Sequence, residues 1–328
     1  MFRNKDLLRP VSPHYGVFKK RLAVYRDALS RDLGFQSPVT HDQFVDYYKG
    51  PRKLVYQKAV LSLALLPVSP KDANLKTFVK AEKHNFTLKP DPAPRVIQPR
   101  DPRFNVGVGK YLRPLEHKMY KAIDNLFGSP TIMSPYNAFT QATHLRAKWD
   151  RLHDPICVGM DASRFDQHVS VPALKFEHSV YSCIFKSPEL RSLLKMQLQN
   201  RGYARASDGY FRYETSGSRM SGDMNTSMGN KLLMCLMSLS YLQSLQIPFE
   251  FANNGDDCLI FLERKHLSRL YNLEKYFREF GFDIVREKPV HDFEKVEFCQ
   301  TKPVCSNGVW RMVRNPSTCL TKDVTSVN

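Results

Sequence analysis

Two adjacent carboxylates, Asp256 and Asp257, lie between two apolar runs at residues 248–252 and 258–262. The Asn254-Gly255 step before them is typical of a tight turn, so we predict a β-hairpin with both carboxylates at its tip. Neighbouring carboxylates repel each other unless a cation lies between them, and hard divalent cations prefer oxygen ligands. The pattern indicates a metal-binding hairpin. The alternative is a solvated turn, because Asp and Gly are common turn residues.

A second pair of carboxylates follows another apolar run. Residues 156–160 predict a short buried strand that ends at Asp161, and Asp166 comes five positions later. If this strand and the hairpin share one sheet, Asp161 meets Asp256. Carboxylates around two cations about 3.5–4 Å apart can clamp an in-line phosphoryl displacement, one ion activating the attacking hydroxyl and the other stabilising the leaving oxygen. The alternative is a capping Asp followed by a surface Asp.

The segment 221–230 combines glycines with small polar side chains. Glycine allows a close approach of the backbone to a ligand. Thr226 and Asn230 are four residues apart and therefore share one face of a helix. A hydroxyl and an amide presented together can recognise a sugar hydroxyl. The alternative is an ordinary helix N-terminus with capping Ser and Asp.

Basic charge is concentrated between residues 76 and 121, where eleven Lys or Arg occur against four Asp or Glu. Five prolines between residues 90 and 102 predict an extended basic loop before a helix. Arg95 begins an apolar strand in this loop, and arginine suits a triphosphate because it can bind phosphate through two parallel hydrogen bonds. For any single lysine of the loop, the alternative is a solvated basic surface.

The composition limits the class of protein. The 328 residues are 42% hydrophobic, which predicts one elaborate domain or two to three subdomains. Lys and Arg outnumber Asp and Glu by 49 to 32, a formal charge of +17 that favours a polyanionic partner such as nucleic acid. A basic protein without a specific partner is the alternative. Seven scattered cysteines without a CxxC pair argue against a zinc site or disulfide framework and fit a reducing compartment.

No targeting or membrane segment is predicted. The N-terminal residues lack the apolar core of a signal peptide. The longest apolar run, residues 232–251, contains several Ser and Gln and Pro248, and is therefore a poor membrane span.

Hydrophobic periodicity predicts mainly helices, with strands at the segments already described. A second hairpin is predicted at residues 202–213, and a long helix is predicted to open at the segment 216–223 and run to about residue 245. The other predicted helices cover residues 19–31, 41–65, 110–125, 172–185 and 267–280. Helices packed on an antiparallel sheet indicate the α+β class.

Four segments occur in a recognisable order: 80–100, 161–166, 221–230 and 255–257. They resemble motifs F, A, B and C of viral RNA-dependent RNA polymerases, especially the tombusvirus-like and luteovirus-like replicases of positive-strand RNA viruses. That group shows similar Phe-Val-Lys-x-Glu-Lys, Ser-Gly-Asp-Met-Asn-Thr and Glu-Phe-Cys-Gln runs, present here at 78–83, 221–226 and 297–300. The resemblance implies an RNA-directed RNA polymerase that replicates a viral genome by a two-metal mechanism.

The resemblance also implies roles for single residues. Asp161 and Asp256 are expected to be the main metal ligands, with Asp257 a supporting carboxylate, for two Mg²⁺ ions that Mn²⁺ can replace. Asp166 and Asn230 are expected to recognise the ribose 2′-hydroxyl, and Ser221 and Thr226 are expected to assist them.

The basic residues receive phosphate roles from the same resemblance. Arg95, Lys80, Lys83 and Arg100 are expected to bind the incoming triphosphate. Lys288 matches the lysine of motif D that protonates departing pyrophosphate, although a surface lysine is the alternative. Residues 297–300 would form a primer-grip hairpin.

The implied architecture is a right hand of fingers, palm and thumb. Residues 1–150 are expected to form fingers with the basic loop, 151–170 and 216–300 the palm, and 171–215 a fingers insertion. Only 28 residues follow Gln300, so residues 301–328 are expected to begin a thumb that is short or truncated.

The resemblance further implies partners and a location. The expected partners are template and nascent RNA, ribonucleoside triphosphates and a viral replication co-factor protein. The expected location is the host cytoplasm, in membrane-associated replication complexes reached through a partner. Two alternatives stay open: a reverse transcriptase that shares the palm, and a catalytically idle RNA-binding or replication-scaffold protein.

Overall fold

The computed structural model of the protein describes residues 10–83, 94–206 and 208–322. Helices and strands alternate irregularly, and the α+β class is confirmed. The helices are α1 (Val17–Leu33), α2 (His41–Asp46), α3 (Gly50–Leu65), α4 (Pro102–Phe127), α5 (Ala138–Asp150), α6 (Phe165–His168), α7 (Val171–Phe185), α8 (Pro188–Lys195), α9 (Thr226–Ser244), α10 (Leu273–Glu279) and α11 (Pro316–Lys322). The strands are β1 (Leu75–Val79), β2 (Val96–Ile97), β3 (Pro155–Ala162), β4 (Gln199–Ala206), β5 (Gly209–Ser216), β6 (Phe249–Asn254), β7 (Asp257–Glu263), β8 (Ile284–Arg286), β9 (Thr301–Ser306) and β10 (Val309–Arg314).

The central sheet has the strand order β6-β7-β3-β8, and every pair in it is antiparallel. Alternate residues of β3 enter two different cores because side chains of a strand point alternately to opposite faces. Ile156 and Val158 belong to the main core with residues of α1, α4, α7 and α9. Cys157 packs in a second core with residues of α5, among them Trp149. Both faces of the sheet are therefore buried, which explains the uninterrupted apolar run of this strand.

The structure contains two other sheets, one of four strands and one of two. The first has the order β2-β1-β4-β5, with β1 parallel to β4 and the other pairs antiparallel. The second is the β9–β10 hairpin, whose Met312 contributes to the second core. The predicted hairpin at residues 202–213 is confirmed, and its strands are longer than predicted.

The apolar segment after residue 225 forms α9, a helix buried on nearly all sides. A helix surrounded by protein is apolar around its circumference, so its composition reflects the core. Within residues 10–83, 94–206 and 208–322, no helix is long and apolar enough to cross a bilayer.

Several predicted helix boundaries are wrong. The single helix predicted over residues 41–65 is two helices, α2 and α3, because Gly50 has φ 58° and Pro51 lies in the first turn of the second helix. The helix predicted at 110–125 starts at Pro102, where Asp101 caps it through the N–H of Arg103. The helix predicted at 267–280 is a 3₁₀ segment followed by α10.

We expect Gly109→Ala to lower the free energy of unfolding by about 1–3 kcal/mol, because a methyl group at this position of α4 would overlap the buried ring of Phe44. Gly209→Ala is the matched control, since open space surrounds that position, and its effect should stay within about 0.5 kcal/mol. Urea unfolding followed by circular dichroism measures both. Equal effects of the two substitutions would contradict this close packing of α2 on α4.

Candidate active site

The predicted acidic hairpin is formed by β6 and β7. Asn254 pairs with Asp257, so the predicted tight turn has Gly255 and Asp256 as its two loop residues. Gly255 has φ 90°, whereas Asp256 is not among the residues with positive φ. A positive φ at the first loop position alone is the pattern of a type II′ turn, which favours glycine there.

The register of β3 on β7 brings the predicted carboxylates to one end of the central sheet. Asp161 is the direct cross-strand partner of Asp257, and Asp256 lies next to Asp257 in the loop. Burial raises the pKa of Asp161, and the negative charge of Asp256 raises it further. The three carboxylates therefore form one electrostatically coupled group, as the sequence predicted for a strand and a hairpin in one sheet.

Asp257 is the most perturbed member of this group. Burial raises its pKa to about 6, although the backbone N–H of Cys299 donates a hydrogen bond of 2.7 Å to its Oδ2. Cys299 precedes β9 and has φ 51°. The loop at residues 297–300 thus contacts the acidic hairpin directly.

The chemistry of this group fits a divalent cation. Its donors are carboxylate oxygens, and a cation would relieve the repulsion and the burial that raise the pKa values of Asp161 and Asp257. Among the described residues, no group of three or more His, Cys, Asp and Glu side chains could hold a metal ion by itself. Mg²⁺ usually takes one or two protein carboxylates and completes its coordination shell with water and substrate phosphates.

Asp166 and Asn230 meet beside the acidic group. The side-chain amide of Asn230 donates a hydrogen bond of 2.7 Å to Asp166 Oδ1. Burial raises the pKa of Asp166, and the hydrogen bond from Asn230 opposes that rise. A half-buried carboxylate fixed next to an amide can accept a hydrogen bond from a hydroxyl, which is the chemistry predicted for this pair.

Arg219 fixes both members of this pair, and the sequence did not predict it. Its Nε donates to Asn230 Oδ1 at 2.8 Å, and its backbone N–H donates to the carbonyl of Asp166 at 2.7 Å. Because the guanidinium occupies the amide oxygen of Asn230, the amide nitrogen points to Asp166. Arg219 therefore sets the orientation of Asn230.

A fully buried ion pair holds Arg219 in turn. Its partner is Glu177 of α7, and the exposed fraction of both side chains is 0%. Asn225 and Tyr181 also donate to Glu177, at 2.6 and 2.9 Å. One sequence signal existed: Glu177 shares a helix face with the apolar residues Leu174 and Tyr181, and a carboxylate is almost never buried on such a face without a partner.

Ser221 and Thr226 are engaged by the backbone. Thr226 Oγ1 contacts the carbonyls of Met220 and Asp223, each at 2.9 Å. Ser221 Oγ donates to the carbonyl of Val96 at 3.4 Å, which ties this loop to β2. These contacts favour a role of both side chains in shaping the loop before α9. The assistance of Ser221 and Thr226 in ribose recognition stays a prediction.

The predicted phosphate-binding residues fall into two environments. Lys80 and Arg95 both pair with Glu82, at 3.3 and 3.5 Å, and their side chains are 41% and 70% exposed. Arg95 is close enough for its charge to lower the pKa of Asp166. Lys83 lies just beyond this pair, and the residues after it, 84–93 of the predicted basic loop, are outside the described part of the chain.

Arg100 has a different environment. Its guanidinium donates to Asp223 at 2.5 Å, to Asn200 at 2.6 Å and to the carbonyl of Ala73 at 2.6 Å, and its side chain is 0% exposed. These contacts favour a structural role that joins the segment before α9 to β4. A contact with triphosphate stays a prediction.

Lys288 follows β8 in an exposed segment. Its neighbour Glu287 donates its backbone N–H to Gly159 of β3 at 2.9 Å, and the Glu287 carboxylate lies against Gly159, where a Cβ would overlap it. The segment of Lys288 thus borders the strand of Asp161. Its role as a proton donor stays a prediction.

Comparison with known proteins agrees with this arrangement. The model of the family described as viral RNA dependent RNA polymerase matches residues 1–328. The chain is 47% identical over 319 residues to the RNA-directed RNA polymerase of Turnip crinkle virus, which covers 97% of this chain and 41% of the relative. It is 48% identical to that of Tobacco necrosis virus (strain A), over 98% of this chain and 44% of the relative. It is 47% identical to the RNA-directed RNA polymerase of Tomato bushy stunt virus (strain Cherry), over 99% of this chain and 40% of the relative.

These matches define the class: the chain belongs to the viral RNA-dependent RNA polymerase family. These relatives are RNA-directed RNA polymerases of tombusvirus-like viruses, as the sequence motifs predicted. The chain spans less than half the length of these relatives.

We expect Glu177→Gln to lower the free energy of unfolding by about 3 kcal/mol or more, because it leaves the buried Arg219 cation without its opposite charge. Glu214→Gln is the matched control, since the Arg201–Glu214 pair is 76% and 73% exposed and should contribute less than about 1 kcal/mol. Chemical denaturation of both variants checks this. Similar small losses would show that the ion pair does not hold the site.

Proposed function

We propose that this protein catalyses template-directed synthesis of RNA from ribonucleoside triphosphates, and so replicates a viral RNA. The observation that supports it best is the meeting of two groups at one end of the central sheet: the carboxylates Asp161, Asp256 and Asp257, and the pair Asp166–Asn230. The first suits metal-assisted phosphoryl transfer, and the second suits recognition of a ribose. Family membership favours the same reaction.

In this proposal the central sheet, with α9 against it, is the palm. The β2-β1-β4-β5 sheet, helices α1–α5 and the insertion that begins with α7 belong to the fingers, and the β9–β10 hairpin begins the thumb. The tight pairing of β3 with β7 supports the palm assignment, since it gives the acidic group a rigid base.

The residues near the acidic group would bind metal, ribose and phosphate. Asp161 and Asp256, with Asp257 in support, would hold two Mg²⁺ ions, which Mn²⁺ can replace. Such ions activate the attacking 3′-hydroxyl of the nascent strand and neutralise charge on the triphosphate. Asp166, oriented by Asn230, would accept a hydrogen bond from the ribose 2′-hydroxyl. Arg95 and Lys80, with Lys83, would bind phosphate oxygens, and Lys288 would donate a proton to pyrophosphate.

The wider setting is proposed on the resemblance alone. The partners would be template and nascent RNA and a viral replication co-factor protein. The location would be membrane-associated replication complexes in the host cytoplasm, reached through that partner.

The first test is incorporation of labelled nucleotides on a primed single-stranded RNA with Mg²⁺ or Mn²⁺. We expect Asp256→Ala to reduce incorporation by at least about 100-fold, since removing even an outer-shell partner of a metal site often costs 10- to 100-fold. Asp154→Ala is the matched control, because Asp154 precedes the opposite end of β3 and is paired with Arg264 at the surface.

Normal incorporation by Asp256→Ala would contradict the metal assignment. Absence of incorporation by the unchanged protein under either metal, with RNA still bound, would favour a replication scaffold over an enzyme.

The second test concerns the sugar. We expect Asn230→Ala to lower the preference for ribonucleotides over deoxyribonucleotides by roughly threefold to tenfold, because it frees Asp166 from its fixed position. Competition between the two substrates on one template measures the ratio. Ser244→Ala, at the other end of α9, should leave it unchanged. A native preference for deoxyribonucleotides would instead indicate a reverse transcriptase.

A further inference from the structure

The β2-β1-β4-β5 sheet has one face rich in aromatic and basic side chains. Tyr203 of β4 lies between Lys76 of β1 and Arg212 of β5 as their cross-strand partner. Arg205 pairs with Tyr210 two residues further along. Because residues two apart on a strand share a face, these five side chains lie on one face, which we call the outer sheet face.

The opposite face of the sheet packs onto the protein around β1. Leu75 and Thr77 of β1 are buried there, and the Thr77 hydroxyl is 2.5 Å from the Tyr213 hydroxyl. Gly202 lies under the Tyr213 ring, where a Cβ would overlap it. Phe211 of β5, on this same face but nearer the hairpin turn, is 58% exposed. Around β1 the outer sheet face is therefore the one left open.

Large aromatic rings are exposed on the outer sheet face. Tyr203 is 43% exposed and Tyr210 is 73% exposed. Phe78, two residues after Lys76 and thus on the same face, is 53% exposed. Single exposed apolar residues are ordinary, but several on one face mark an interaction site.

The cations between these rings are only partly neutralised. Lys76 pairs with Asp101 at 3.3 Å, and Arg201 pairs with Glu214 at 2.9 Å. Arg205 and Arg212 make no ion pair with any residue that the structure describes, and Arg212 lies 5.9 Å from the centroid of the Tyr210 ring. Two guanidinium groups thus stand among exposed rings with their charge available.

We propose that the outer sheet face binds single-stranded RNA, with bases stacked on Tyr203, Tyr210 and Phe78 and phosphates bound by Arg205 and Arg212. Stacking rings beside a basic track is the arrangement by which proteins hold single strands without sequence preference. Guanidinium groups match phosphate oxygens in geometry as well as charge.

The spacing favours a single strand over a duplex. Tyr203 and Tyr210 are diagonal neighbours on adjacent strands, and such side chains are about 7–8 Å apart, roughly twice the 3.4 Å rise per nucleotide within one strand of a duplex. Bases stacked on successive rings must therefore be separated from each other, which only an unpaired strand allows.

This surface deepens the proposed function, and it rests on that function for the identity of its ligand. It is separate from the acidic group, since its strands belong to another sheet. Binding can therefore be measured without nucleotides and in the Asp256→Ala background, so that a failure of the surface and a failure of catalysis give different results.

The test uses the full chain and a single-stranded RNA of about 15 nucleotides containing 4-thiouridine. We expect photo-crosslinks, located by mass spectrometry, at Tyr203 or Tyr210. Fluorescence anisotropy should show that the Tyr203→Ala, Tyr210→Ala double variant binds at least about fivefold more weakly. Tyr203→Phe, Tyr210→Phe should bind normally because it keeps both rings. Tyr271→Ala is the matched control, since Tyr271 is 76% exposed outside this sheet.

The salt dependence tests the phosphate contacts separately. Replacing Arg205 and Arg212 by Ala should reduce the slope of log affinity against log salt by about 0.7 for each lost contact. Unchanged binding and crosslinks confined to other surfaces would overturn the proposal. It would also be overturned by equally tight binding of a duplex, or by binding of anionic lipid vesicles in place of RNA.

Discussion

The pairing of β3 with β7 is the constraint on which the rest of the site depends. Asp161 faces Asp257 only in the observed register, and a shift by one residue would move every side chain of β3 to the other face. The register is fixed because both faces are buried: Ile156, Val158 and Met160 enter one core, and Cys157 enters the other. The packing of these apolar side chains in the two cores therefore determines where the carboxylates meet.

The second half of the site is fixed by charge. Asn230 is on α9 and Asp166 is on α6. Strand pairing, which aligns Asp161 with Asp257, does not align these two residues. The Arg219–Glu177 pair joins them through α7, and it does so without solvent contact. Burying a charge is tolerated only when it is paired and hydrogen-bonded. The same requirement that keeps the pair together also orients Asn230 toward Asp166.

Local sequence patterns predicted the strand before Asp161 and the acidic hairpin, since apolar runs and turn residues specify such elements over short distances. They did not predict the Arg219–Glu177 pair, because its members are 42 residues apart and no local pattern links them. The start of α4 was missed for another reason. Pro102 was interpreted as part of a loop, yet proline is well suited to the first turn of a helix, where its missing N–H costs nothing.

The central sheet and the β2-β1-β4-β5 sheet carry uncompensated charges of opposite sign. The central sheet collects carboxylates at one end, where burial and mutual repulsion raise the pKa values of Asp161 and Asp257, so the protein alone leaves negative charge that only cations can balance. The β2-β1-β4-β5 sheet leaves Arg205 and Arg212 exposed without ion-pair partners among the described residues, and only anions can balance them. A polyanion that brings its own divalent cations satisfies both conditions at once. Under the proposed function, RNA and a triphosphate with bound divalent cations would be ligands of that kind, and they would balance the acidic centre of a chain whose net charge is +17.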